Sequence, residues 1–258
     1  MNELIKARWN QRGNFFKDSL EGVLYATFPE SVNETIHSWQ LSVLVKYFPS
    51  EKVNASVLDV GCGYGRLSLP LSRIFKDSTF FGIDISKDYV GLYNKNLAKR
   101  GKAVVGDIAK ITHSRKYDFI LIVTVLMYLN SVQIEALAHN FRSALNRGGK
   151  LVVIENNKSG ANYIDGFGLA NLFKNIFRKK NNYAIPHRIF SDCDILPPFS
   201  RYFKLVAKEN SSLLTVFIPF LLVFSKFFGI NFKPFLPNKS LPFLPSLYKA
   251  YIFTYERQ

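Results

Sequence analysis

The sequence predicts an α/β fold: a doubly wound, mostly parallel seven-stranded sheet with N-terminal helices and an apolar insertion between the last two strands. Three observations carry this. From Ala55 onward, short apolar runs alternate with segments of helical period, the order of a parallel sheet with crossover helices. Asp118–Val125 is nearly continuous in apolar residues, as a strand buried on both faces must be. Gly61, Gly63 and Gly65 join the apolar run Ser56–Val60 to a helical period beginning at Leu67, a strand–turn–helix unit.

In chain order, residues 1–50 read as helical with a break near Phe28-Pro29. Trp9, Phe15, Phe16, Leu20, Val23 and Leu24 make one apolar face, and Ser31–Phe48 forms a second helical stretch. These helices either pack on a sheet edge or form a cap over a cleft. The domain division is therefore a helical region at 1–50 and an α/β domain at 51–258. Within the latter, the strands are Ser56–Val60, Thr79–Ile83, Ala103–Val105, Asp118–Val125 and Lys150–Glu155. Helices are expected over Arg66–Phe75, from an N-cap at Ser86 to Lys99, and over Ser131–Leu145, with Gly148-Gly149 closing the last. A short helix over Ile189–Leu196 precedes strand six, Tyr202–Ala207, and strand seven lies near the end, Ala250–Glu256.

Composition narrows the functional classes. The chain has 258 residues, 48% of them hydrophobic, enough for one large α/β domain with additions. Cys62 and Cys193 provide neither a disulfide framework nor a metal spacing, which suits a reducing compartment. No apolar stretch follows the first charges, so no secretory signal is expected and the cytoplasm is the expected location. Net charge is +15, which points to an anionic partner. Residues 156–258 carry 14 basic against 5 acidic residues and 15 of the 24 Phe, so the chain divides into an ordinary α/β part and a basic, Phe-rich part.

The glycine turn is the most informative motif. Its glycines miss the third position of the dinucleotide fingerprint G-x-G-x-x-G by one residue, and Asp59 stands two residues before Gly61. A carboxylate there repels a pyrophosphate and suits a ligand carrying an ammonium group. The turn should also present free backbone N–H groups at a helix N-terminus. Val57 to Ser72 resembles motif I of the class I S-adenosylmethionine-dependent methyltransferases, and the strand order from 50 to 157 resembles their Rossmann-like fold.

That resemblance implies S-adenosylmethionine as cofactor and assigns roles residue by residue. Asp59, Gly61, Cys62, Gly63 and Gly65 form the cofactor turn. Asp84, with Ile85 beside it at the end of strand two, takes the ribose hydroxyls, unless it only caps the following helix. Asp107 faces the adenine amino group and Ile108 flanks the ring, an ordinary loop Asp being the alternative. Thr124 walls the methionine moiety. For the acceptor side the residues offer no triad. Tyr128 could orient an acceptor or simply pack. Glu155, ending strand five, could serve as base or hold a substrate hydroxyl. His187 could be a base or a structural histidine. No metal is called for. Hydroxyl, amine and carbon acceptors all stay open, with O-methylation as the default.

Two stretches leave the sheet on the ligand side, 156–186 and 210–249. The second includes LLTVFIPFLLVF at 213–224, too short to span a bilayer and broken by Pro219. Phe173, Lys174, Ile176, Phe177, Arg178, Lys179 and Lys180 give the first a basic amphipathic character. The expected acceptor is a lipophilic or lipid-linked small molecule, methylated at an anionic membrane surface, with the enzyme peripheral on its inner face. The alternative is a soluble enzyme acting on a hydrophobic secondary metabolite, with the insertion as lid or homodimer contact. A tRNA or rRNA methyltransferase ranks third, because the basic residues are mixed with bulky apolar ones and no Asn/Asp-Pro-Pro-Tyr signature ends strand four.

Overall fold

The computed structural model describes residues 3–26, 28–110, 115–161, 185–212, 215, 216, 218 and 244–256. Three helices come first: α1 (Glu3–Phe16), α2 (Leu20–Val23) and α3 (Glu30–Tyr47). The break falls before Pro29, whose fixed φ of −55° suits the entry to α3. In α3, Val32, Ile36, Trp39, Val43 and Leu44 recur at helical spacing, and all are buried.

The sheet holds β1 (Ser56–Val60), β2 (Thr79–Asp84), β3 (Gly101–Val105), β4 (Tyr117–Val123), β5 (Leu145–Asn156), β6 (Lys204–Asn210) and β7 (Tyr248–Thr254). The order across it is β3-β2-β1-β4-β5-β7-β6. β7 runs antiparallel to both neighbours, and the other pairings are parallel. Crossovers are made by α4 (Ser68–Ile74), α5 (Lys87–Leu97), α6 (Ser131–Ala144) and α7 (Asp192–Ser200). Strand alternation divides the core in two. Val57, Phe119, Leu121, Val152 and Ile154 face the α3, α4 and α5 side. Leu58, Ile120, Ile122, Leu151 and Val153 face α6 and α7. β4 is buried along its whole length, as its apolar run requires.

Local signals set most boundaries. Ser86 caps α5, its hydroxyl accepting from Tyr89 N at 3.3 Å. Asn130 and Gln133 form a capping box on α6, and Ser191 with Asp194 does the same for α7. One boundary differs from expectation. Gly148-Gly149 does not close α6, which ends at Ala144; both glycines lie within β5, where the register with β4 is broken between Tyr117 and Phe119. Gly148 takes φ +73°, the conformation such an irregularity needs.

The strand order reverses between β1 and β4, which opens a crevice at their C-terminal ends. At the far side, Glu155 pairs with Lys249, and Lys249 with Asn210. The ends of β5 and β6 and the start of β7 are therefore level. Most of the segments expected to rise from them, the basic stretch near 173–180 and the apolar run near 213–224, lie outside the described residues. None of the described helices is long and apolar enough to cross a membrane.

Candidate active site

A cleft of about 750 Å³, its open mouth included, lies at the C-terminal ends of β1, β2 and β4. Asp59, Gly61, Cys62, Gly63, Asp84, Ile85, Ile108 and Thr124 all line it. The turn itself departs from expectation. Gly61 N and Cys62 N donate to Ile83 O, at 2.7 and 3.1 Å. Gly63 N donates to Asp84 Oδ2 at 2.8 Å, and Gly65 N to Cys62 O at 3.0 Å. These four N–H groups are thus spent on the protein, and they form no anion-binding nest. The glycines are needed for shape instead. Gly61 takes φ +73°, and a Cβ there would collide with Val125. Gly65, at φ +87°, packs over Leu97 and Tyr93 rather than lining the cleft.

Two buried carboxylates face this cleft. Asp59 Oδ2 accepts the Ser68 hydroxyl at 2.6 Å. Burial raises its pKa to about 7, against the opposing pull of Ser68 and Arg66. Asp84 bridges two turns, Oδ2 taking Gly63 N and Oδ1 taking Ser86 N, each at 2.8 Å. Burial raises its pKa as well, and the hydrogen bonds from Ser86 and Gly63 work the other way. Each oxygen has a second lone pair with which to accept a ligand hydroxyl. Asp107 sits at the rim, half-buried, its Oδ1 accepting from Ala109 N at 3.0 Å; its neighbours Gly106 and Ile108 line the cleft and it does not.

Thr124 is a strained position. It has φ +57°, which a β-branched residue rarely adopts, and it directly follows β4. Its N–H donates to Ile154 O at 2.8 Å. The next two N–H groups, of Val125 and Leu126, both donate to Glu155 Oε1, at 2.8 and 2.6 Å. Glu155 is buried and lines neither this cleft nor its neighbour. Burial raises its pKa to about 8 against the pull of those backbone donors. The carboxylate expected to face an acceptor is instead turned beneath the β4 turn, where it braces the backbone.

A second cavity of about 690 Å³, its open mouth included, adjoins the first and shares Trp9, Val23, Thr124 and Tyr128 with it. Its other walls are mostly apolar or aromatic, among them Leu24, Tyr25, Met127, Ile185 and Tyr248. His187 lines this cavity, with Nδ1 3.1 Å from Ile185 O. A carbonyl only accepts, so Nδ1 is the donor in this contact, and in the matching neutral tautomer Nε2 is the acceptor. Tyr128 meets Trp9 edge-on at 5.6 Å between ring centroids, and burial raises its pKa. Arg12 also lines the cavity, fixed by bonds to the carbonyl oxygens of Gly22, Glu21 and Leu24.

The structure therefore brings Tyr128 and His187 to one cavity and leaves Glu155 outside it. Sequence reasoning missed Arg66, Tyr89, Tyr25, Asn156 and Tyr248. Only Arg66 stood in the motif itself; it is buried, bonded to Gln40 Oε1 at 2.7 Å and facing His37 Nδ1 at 3.0 Å. Trp9 and Val23 were recognised as apolar helix positions, and both line the two cavities.

Residues 57–149 match a family model described as a methyltransferase domain. The probable S-adenosyl-L-methionine-dependent methyltransferase TehB of Haemophilus influenzae Rd is 31% identical over 101 residues, 38% of this chain and 35% of that one. The chain thus spans well under two thirds of that relative. Among solved structures, magnesium protoporphyrin IX methyltransferase from Synechocystis, with bound SAH, superposes with a TM-score of 0.57 at 17% identity, covering 97% of this chain and 94% of that one. The N-methyltransferase NodS from Bradyrhizobium japonicum, also with S-adenosyl-L-homocysteine, gives 0.58 at 14% identity over 99% and 98%. At such identities the superpositions speak to the fold. Motif, sheet order and matched domain agree: residues 57–149 carry a methyltransferase domain of the class I S-adenosylmethionine-dependent kind.

Proposed function

We propose that the protein transfers a methyl group from S-adenosylmethionine to a hydroxyl of a lipophilic small molecule. The observation that carries this is the pair of joined cavities, one lined by buried carboxylates and the other by aromatic residues, meeting at Thr124 and Tyr128. The first cavity suits the cofactor chemically. It offers carboxylates to a cation, and its glycine N–H groups are already used, so a phosphate gains little there. Asp59 is assigned to the ammonium group, Asp84 to the ribose hydroxyls, Ile85 and Ile108 to the adenine faces, and Asp107 to its amino group. Gly61, Cys62 and Gly63 provide the close-fitting floor, and Gly65 shapes the turn behind it.

The bound cofactor supplies an electrophilic methyl group on a sulfonium. The protein's own task is then mainly alignment, since displacement needs nucleophile and methyl group in line. Thr124, held in its strained turn, and Tyr128 stand where the cavities meet and are assigned to that alignment. A hydroxyl must also lose its proton, and His187 Nε2 is the acceptor assigned to it. Glu155 is assigned a positioning role beneath the turn.

The basic, Phe-rich second part of the chain supports work at an anionic membrane surface on a lipophilic or lipid-linked acceptor, with peripheral attachment. Flotation with anionic liposomes checks this; protein that stays in the soluble fraction, with or without residues 210–249, overturns it. A homodimer built through the same insertion is the competing use, and sedimentation reads it directly. The activity is tested by incubating the protein with labelled S-adenosylmethionine and either lipid or soluble extract of the source cells. Label is expected in an alkali-stable methyl ether of the lipid fraction. Labelling confined to nucleic acid or protein contradicts the reading.

A further inference from the structure

We infer that Asn156 is the residue that selects the acceptor, and that the second cavity takes a flat aromatic molecule bearing a free hydroxyl. This rests on the reading of that cavity as the acceptor chamber. Asn156 ends β5 and is only 6% exposed, yet it lines the cavity. Its Oδ1 is buried and has no hydrogen-bond partner in the protein. Buried carbonyl oxygens are rarely left so, because the desolvated acceptor is then uncompensated.

Asn156 meets Tyr25 and Tyr248 at the cavity wall. The Tyr25 hydroxyl is hydrogen-bonded by both Tyr248 and Asn156. Asn156 thus borders Tyr25 at the cavity, and its Oδ1 is the polar atom left without a partner. Tyr25 itself is held in place by its backbone, which exchanges two hydrogen bonds with Asn33, at 3.2 and 2.9 Å. Asn156 is equally fixed, its carbonyl accepting from Phe190 N at 3.1 Å. The backbone that carries the polar spot is therefore anchored at both residues.

The rest of the chamber determines the body of the ligand. Trp9, Tyr25, Tyr128 and Tyr248 present aromatic surface, which favours a flat apolar skeleton. A hydroxyl on that skeleton satisfies Oδ1, and its ether cannot.

The test uses two probes of one skeleton, 2-naphthol and 2-methoxynaphthalene, with S-adenosylhomocysteine present to fill the first cavity. Binding is followed by NMR through the His187 ring signal, which reports on the second cavity alone. Wild-type protein is expected to prefer the naphthol roughly ten-fold, the effect of one satisfied buried acceptor. Asn156→Leu is expected to reduce that preference to within about two-fold, with calorimetric binding of S-adenosylhomocysteine unchanged as proof of folding. Equal binding of the two probes to wild-type protein overturns the inference and leaves the acceptor chamber standing, and it does so even if the variant fails to fold. A preference that survives in Asn156→Leu also overturns it. If neither probe moves the His187 signal, the acceptor-chamber reading falls, and this inference with it.

Discussion

The two cavities share a wall and are built in opposite ways. The first is assembled from strand ends: Asp59 and the glycine turn from β1, Asp84 from β2, Thr124 from β4. Its groups are held by backbone, and its shape follows from the parallel sheet. The second is assembled from side chains of segments far apart in sequence: Trp9 and Arg12 from α1, Tyr25 from the link before α3, Asn156 from β5, His187 from a loop and Tyr248 from β7. Under the proposed function, the first cavity carries what all acceptors share, and the second carries what distinguishes one acceptor from another. A sheet that fixes the cofactor can thus host many chemistries when the segments around it change.

The largest expected effect falls on the second cavity. His187→Ala should lower methyl transfer by about 10²–10⁴-fold, the usual range for a lost general base, while cofactor affinity stays the same. Calorimetry beside a turnover assay checks both halves. An equal fall in affinity would mean that the two cavities are not separable.

Next comes the shared wall. Glu155→Ala removes the acceptor for two buried N–H groups under a strained turn, and should cost about 2–4 kcal/mol in urea unfolding. Glu155→Gln keeps an oxygen in place and should cost much less. It also tests the electrostatics. The pKa of Glu155 is raised to about 8 in the folded protein, above its ordinary value of 4.5. The folded state therefore holds that proton more tightly than the unfolded chain does. The associated stability is complete below pH 4.5 and is lost as pH rises through 8, at up to about 1.4 kcal/mol per pH unit. In Glu155→Gln that part of the alkaline loss should vanish, and unfolding at pH 6 and pH 8.5 shows it.

A comparable effect belongs to the first cavity alone. Gly61→Ala places a Cβ against Val125 at positive φ, and should destabilise by about 1–3 kcal/mol and weaken cofactor binding. The smallest effect is a pH dependence. Asp59, raised to about 7, must be ionised to hold an ammonium group. Cofactor affinity should therefore fall up to about ten-fold for each unit below pH 7 and level off above it. Asp59→Asn should abolish that slope.

The same division explains what could be read from residues alone. Strand–turn–helix order, the apolar run of β4 and the caps at Ser86 and Ser191 are local signals, and they sufficed for the fold and for the acids at strand ends. The hydrogen bonds of the turn were not legible, because Ile83 O comes to Gly61 and Cys62 only through strand pairing. Nor was the orientation of Glu155: its position at the end of β5 suggested a base, and only the neighbouring strand shows where its oxygens go. Asn156 gave no signal at all, since an Asn after an apolar strand reads as the start of a loop. Its burial depends on Tyr25 and Tyr248, which stand 131 residues before it and 92 after it.

The contrast between the cavities rests above all on the acid-lined one binding a sulfonium nucleoside and not a phosphate-bearing one. Titration calorimetry with S-adenosylmethionine and with NAD, on wild-type protein and on Asp84→Ala, reads this without an acceptor. Saturable binding of S-adenosylmethionine that weakens about 100-fold in Asp84→Ala, with no heat from NAD, is the expected result. Absence of S-adenosylmethionine binding to wild-type protein, or tighter binding of NAD, would contradict it.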